Sequence, residues 1–217
     1  MGVLEAVSRI VQLGGAAAHM ARVAAMRAAF EVRTGAFAPE DSWFEERSRA
    51  FWCNAVTEGR FGRAVEADLT AEERIWLPAL ERAHRGLFRA DGRILVDVWS
   101  GAQLALSLLD DESRAELDTG QDQMFDGRVV GTDRPLVVAL LPGAVFHSLA
   151  ANTAIERVLA AARATSLSTS ETLNALLRME RTLRSLSRVK PAYAYRPEAL
   201  SLPALTGPAR GSPKIHT

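Results

Sequence analysis

The chain has one cysteine, Cys53, among its 217 residues. That excludes an intramolecular disulfide and a cysteine-built zinc cluster, and it favours a reducing compartment. It has no surplus of either charge, because 26 Lys and Arg balance 26 Asp and Glu. The excess of positive charge that marks most nucleic-acid and anionic-membrane binders is therefore missing. No uncharged apolar run approaches the ~18 residues that a spanning helix needs. Glu5 and Arg9 interrupt an N-terminal apolar stretch that has no basic residue ahead of it, unlike a secretory signal. A cytoplasmic protein with no membrane contact is expected. Histidine is scarce too: His19, His84, His147 and His216 stand in four separate segments without metal-ligand spacing. Gly59 and Gly62 lack the strand-loop-helix setting of a phosphate-binding loop. Neither a metal nor a cofactor is expected.

What is present is a chain with 48% hydrophobic residues, enough for a substantial core. Val3, Leu4, Val7, Ile10 and Val11 share one helical face. After Gly14 and Gly15 the large apolar residues Met20, Val23, Met26 and Phe30 fall on a different face, so a break at the glycines is predicted. Ala17, Ala21, Ala25 and Ala28 give the second helix a smooth back that another helix can approach closely. Packing within the chain is the first expectation for that face, and a homo-oligomer contact is the second. Ser42 with Glu45, Thr70 with Glu73 and Ser168 with Glu171 have capping-box spacing and predict three further helix starts. Pro78 predicts a kink or interruption in the helix that follows Thr70.

At Leu87 the pattern turns to alternation. Asp91-Gly92 predicts a hairpin from about Leu87 to Ser100, and Gln103–Leu109, Met124–Gly131 and Leu136–Leu141 have strand character. The expected fold class is α+β: N-terminal helices over residues 1–85, a small antiparallel sheet or barrel-like unit over 86–148, two C-terminal helices over 149–190, and an extended segment with a mobile tail over 191–217. These should form one cooperative unit. The acidic connection from Asp110 to Asp122 should be an exposed loop.

Charge is unevenly placed. From Asp97 to Asp126 eight acids face Arg114 alone, whereas from Arg178 onward eight bases face Glu180 and Glu198. The two regions can attract each other within the fold, or the basic end can meet an outside anion. The basic end also holds both tyrosines. Arg181, Arg184 and Arg188 are spaced to share a helical stripe, and Lys190, Tyr193, Tyr195 and Arg196 follow among prolines. Guanidinium groups offer paired donors to phosphate or carboxylate, and tyrosine rings stack on bases or arginine planes. Equally, cations complement a helix C-terminus and buried tyrosine rings fasten an extended strand. These seven residues are the candidate binding surface.

Other candidates are weaker. His147 with Ser148 stands at a strand-to-helix loop, a common place for catalytic groups, yet no carboxylate lies near it in sequence. Cys53 between Trp52 and Asn54 reads as a buried small hydrophobe. Asp97 and Asp126 can meet as paired carboxylates, or more simply stand on a solvated strand face. Arg60 and Arg63, followed by a small β unit with Asp97, Ser100 and Gly101, resemble a scrambled form of the residue set of PilZ cyclic-dinucleotide receptors. That family places its arginines just before the barrel and spaces its aspartate, serine and glycine differently, so no site is carried over.

The sequence thus leads to an expectation of a non-enzymatic binding or regulatory protein whose basic-aromatic C-terminal surface meets a protein partner or a phosphate-bearing ligand. The alternatives are a small enzyme built around His147 and a helical assembly protein that oligomerises through its N-terminal helices.

Overall fold

The computed structural model describes residues 2–108, 114–115, 117, 122–186 and 188–201. Most of the acidic connection and nearly all of the tail named above lie outside the described residues.

Helix α1 (Val3–Gly14) buries Val3, Ala6, Val7 and Ile10, the face its sequence predicts. It stops at the glycine pair, and one 3-10 turn leads to α2 (Met20–Thr34). Gly14 has a packing role as well, because a Cβ there would lie 2.5 Å from the Trp52 ring. Helix α2 turns Phe30 and Thr34 inward, with Val23 and Met26 partly covered. Ala17, Ala21, Ala25 and Ala28 are exposed, together with Met20 and Val32, so among the described residues nothing from the chain packs on the alanine back. Packing within the chain, the first expectation for that face, is not what is found. The helix ends at Gly35, whose φ of 94° only glycine adopts without strain.

Helix α3 (Phe44–Val56) starts without the expected capping box: Trp43 is its N-cap, and no side chain caps it. The Asp41 carboxylate accepts the Ala38 amide at 2.9 Å instead, so an aspartate turn sets the entry. Short helices α4 (Phe61–Ala64), α5 (Ala71–Arg74) and α6 (Leu77–Glu81) follow. The Thr70–Glu73 capping box is formed, and the helix is interrupted where Pro78 restarts it in the first turn of α6.

Six strands come next: β1 (His84–Asp91), β2 (Ile94–Asp97), β3 (Gln103–Leu108), β4 (Met124–Gly131), β5 (Val137–Leu140) and β6 (Val145–Phe146). Pairing runs β1–β2–β3–β5–β4 and returns to β1, with β6 added to β4. Every pairing is antiparallel except β3–β5, so the sheet is mixed. The exception is a matter of parity. Five strands in a closed circuit cannot all alternate in direction, so one neighbouring pair must run parallel.

Phe88, Leu95, Leu106, Phe125, Val129, Val138 and Leu140 fill the inside of the circuit. Leu87 and Met124 face α7 (Asn152–Ala164) and α8 (Thr169–Ser185), whereas Val130, Ala139 and Leu141 join the core of the N-terminal helices. Helices therefore cover the outer face of β1 and β4, and β4 is buried from Met124 to Val130. The Ser168–Glu171 capping box opens α8 as predicted. After it, residues 191–194 form a short helix, α9 (Pro191–Ala194), where an extended strand was expected. Pro191 has no amide hydrogen to lose and its fixed φ suits a first helical turn.

Candidate functional site

The basic-aromatic run divides into an inward and an outward set. Arg181 is 4% exposed, and its Nε donates to the Ala36 carbonyl at 2.5 Å. Arg184 grips Glu46 with two nitrogens, at 2.6 and 3.2 Å, and its Nε meets Glu180. Neighbouring Arg178 donates to the Arg33 carbonyl at 2.7 Å. These arginines fasten α8 to α3 and to the end of α2. Tyr195 is buried beside them, and its hydroxyl lies 2.7 Å from His147 Nδ1.

The second set faces out. Arg188, Lys190, Tyr193 and Arg196 are all exposed, Tyr193 by 69%. None of these four side chains has a hydrogen bond or ion pair with another described residue; the backbone alone is bonded, Tyr193 N–H to the Lys190 carbonyl and Ala199 N–H to the Arg196 carbonyl. The single stripe expected for Arg181, Arg184 and Arg188 is not formed, because α8 ends at Ser185 and Arg188 has φ +60°. A left-handed residue turns the chain away from the helix axis, which separates the outward cations from the inward ones.

His147 is fully buried. Its own amide donates to the Met124 carbonyl at 2.8 Å, which ties the loop to β4. Burial lowers its pKa to about 4, with Arg47 and Arg184 adding to the effect against Asp126, so the ring is neutral near pH 7. Burial likewise drives the Tyr195 phenol far above its ordinary range. His147 lines a cleft of about 270 Å³ together with Gln123, Phe146, Glu180, Leu183 and Arg184. A carboxylate thus does stand in the same cleft, brought there by the fold from α8.

A second polar assembly lies between the outer face of β1 and β4 and the helices. Asp126 accepts from Arg85 at 3.0 and 2.6 Å, and Arg85 also donates to the Asn174 side chain at 2.8 Å. Glu58 accepts from Arg128 at 2.7 Å and has Arg85 at 4.0 Å. Burial alone would raise both acids; Arg85 outweighs it for Asp126, and Arg128 with Arg85 does so for Glu58, holding each below the usual carboxylate range. Asp97 has separate partners: it accepts from His84 at 3.1 Å, the Ser100 hydroxyl at 2.8 Å and the Trp99 amide at 2.9 Å. These bonds lower its pKa against the burial that raises it, and the bond to Asp97 raises that of His84. Asp97 and Asp126 are therefore neither a carboxylate pair nor solvated, since each is 3% exposed among its own hydrogen-bond donors.

Cys53 is buried, and burial pushes its thiol up to about 11, which leaves it protonated and unreactive. Arg63 pairs with Glu81 and Glu66, so the arginines behind the PilZ resemblance are not joined to Asp97, Ser100 or Gly101 by any contact among the described residues. Among the described residues no group of three or more His, Cys, Asp or Glu is placed to hold a metal ion, and no helix is long and apolar enough to cross a membrane. No protein-family model, curated protein or solved structure matches the chain.

Proposed function

We propose that this chain is a regulatory binding protein that takes an acidic segment of a protein partner on its C-terminal face. The observation behind this reading is the division of the basic-aromatic run. Arg181, Arg184 and Tyr195 fix the backbone, while Arg188, Lys190, Tyr193 and Arg196 stand in solvent without partners. Exposed cations held on an anchored support lose less conformational entropy on binding than cations on a free tail. An exposed tyrosine adds rigid contact area of the kind enriched in interfaces. A single cysteine fits action in a reducing compartment such as the cytoplasm.

The test compares a fluorescent Glu-rich peptide with a panel of nucleotides. Salt-sensitive binding of the peptide, lost in the Arg188→Ala/Lys190→Ala/Arg196→Ala variant at unchanged melting temperature, supports the reading. Thermal stabilisation by nucleotides alone replaces the protein partner with a phosphate-bearing ligand. Binding of neither overturns the reading.

The exposed alanine back of α2, flanked by Met20 and Val32, favours a second reading in which the chain assembles with copies of itself. Removing residues 1–33 is a poor test, because Val3, Val7 and Ile10 belong to the core. Ala25→Glu with Ala28→Glu is better, and a light-scattering mass equal to that of the unmodified protein rules the assembly out.

A further inference from the structure

The strand circuit has a cleft at one of its ends. His84 opens β1, Asp97 closes β2, Leu104 lies near the start of β3, Gly131 closes β4 and Val138 lies near the start of β5. All five line a cleft of about 320 Å³. They meet at one end because each antiparallel neighbour reverses direction, while β3 and β5, the parallel pair, begin together. The mouth of a closed sheet is a recurrent place for ligand sites, and the volume falls within the ~300–1,000 Å³ usual for them. The lining is largely apolar: Val129 and Val138 belong to the cluster that fills the circuit, Leu104 packs against it, and Trp99 adds an aromatic ring.

The polar side is built around Asp97. Its carboxylate accepts from the Trp99 amide, the Ser100 hydroxyl and His84 Nε2. An ionised carboxylate only accepts, so the hydrogen of the last bond sits on Nε2. The other ring nitrogen, Nδ1, has no hydrogen bond with another described residue, and the His84 side chain is 52% exposed. Phe88 meets the ring edge-on at 6.0 Å, so the imidazole is held from two sides. The Arg82 side chain lines the same cleft, is exposed, and has no hydrogen bond or ion pair with another described residue; the adjacent Glu81 is held by Arg63.

The ionisable groups of the lining are Arg82, His84 and Asp97. The bond to Asp97 raises the pKa of His84, so near pH 6 the ring is charged. The His84–Asp97 pair is then neutral as a whole, and Arg82 adds one unmatched positive charge. A monoanion suits that balance, and the carbon surface beside it suits a ligand that is mostly apolar. A carboxylate accepts from a guanidinium and from an imidazolium N–H alike.

We propose that this mouth binds a small monocarboxylate with an apolar body, its carboxylate meeting Arg82 and the free nitrogen of His84 and its carbon body lying on Trp99, Leu104 and Val138. The site shares no residue with the outward face formed by Arg188, Lys190, Tyr193 and Arg196, and does not depend on the function proposed for that face.

The experiment follows the imidazole nitrogen resonances of His84 in the full-length protein at pH 6 during titration with benzoate and, in parallel, with benzamide and with inorganic phosphate. The expected result is a saturable shift of Nδ1 with benzoate alone, with binding roughly tenfold weaker in Arg82→Gln at unchanged melting temperature. Ala102→Trp, at an exposed position of the lining, should abolish the shift in a folded protein. Benzamide binding as tightly as benzoate would overturn the role of the carboxylate, and saturation by phosphate alone would overturn the apolar body. No saturable shift with any of the three would overturn the site.

Discussion

The Tyr195 hydroxyl and Nδ1 of His147 share a hydrogen bond of 2.7 Å, and both side chains are shut away from water. This contact closes the C-terminal segment onto the loop after β6, and burial, not the contact itself, takes the histidine out of acid-base chemistry at neutral pH. Tyr195→Phe keeps the ring and deletes the hydroxyl, leaving Nδ1 buried without its partner. A destabilisation of about 1–3 kcal/mol in urea unfolding is expected, with binding at the outward cations unchanged.

Acid should weaken the fold before the carboxylates titrate. His147 binds a proton in the unfolded chain near pH 6.5 but in the folded chain only near about 4. Between those values the unfolded state holds more protons, so stability falls with falling pH, by about 3 kcal/mol over the window. Asp126 and Glu58, whose folded pKa values are depressed, add a further loss at lower pH as they are protonated. His84 works in the opposite sense: its raised pKa gives stability that is complete below its ordinary value and lost as pH rises, a small term because the ring is half exposed. Urea titrations through the window should show the slope, and His147→Asn should flatten it.

The Arg85–Asp126 pair is a stronger test of the interior. Asp126→Asn leaves the Arg85 guanidinium buried with only the more distant Glu58, at 4.0 Å, for counter-charge, and a loss of about 3 kcal/mol is expected. The double replacement Arg85→Met/Asp126→Leu removes both charges and should cost less than the single one. Chemical denaturation of the two variants and the parent measures the difference.

Arg184 and Arg188 should behave as different kinds of residue although they are one helical turn apart in sequence. Arg184→Ala strands Glu180 in the interior and frees Glu46, for an expected loss of about 1–3 kcal/mol. Arg188→Ala should stay within about 0.5 kcal/mol and act only on binding. Melting temperature and peptide affinity, read together, separate the two.

Much of the architecture was legible because its signals are local. The Thr70 and Ser168 capping boxes, the Gly14–Gly15 break, the Pro78 restart and the Asp91-Gly92 turn each lie within a few residues of the element they define. Ser42 misled because Asp41, one residue earlier, makes the turn. The parallel β3–β5 pair depends on how five strands close, which no single strand records. Asp97 and Asp126 looked solvated because a polar residue in an alternating strand usually marks the wet face. Helices cover that face of β4, and the cation for Asp126 comes from 41 residues away. The inward and outward division of the basic run was illegible for a similar reason: it hinges on a left-handed turn at Arg188, and arginine gives no cue for one.

Arg85 extends two nitrogens to a neighbouring strand and the third to the C-terminal helix, and has Glu58, from the N-terminal part, within 4.0 Å. Each third of the chain thus carries charges whose counterparts are encoded in another third. A crossover that replaced the helices or the sheet with an unrelated sequence would bring in half of an ionic set and leave the other half unmatched. The thirds of this protein are therefore expected to be inherited together, and recombination at the helix–sheet borders should be poorly tolerated.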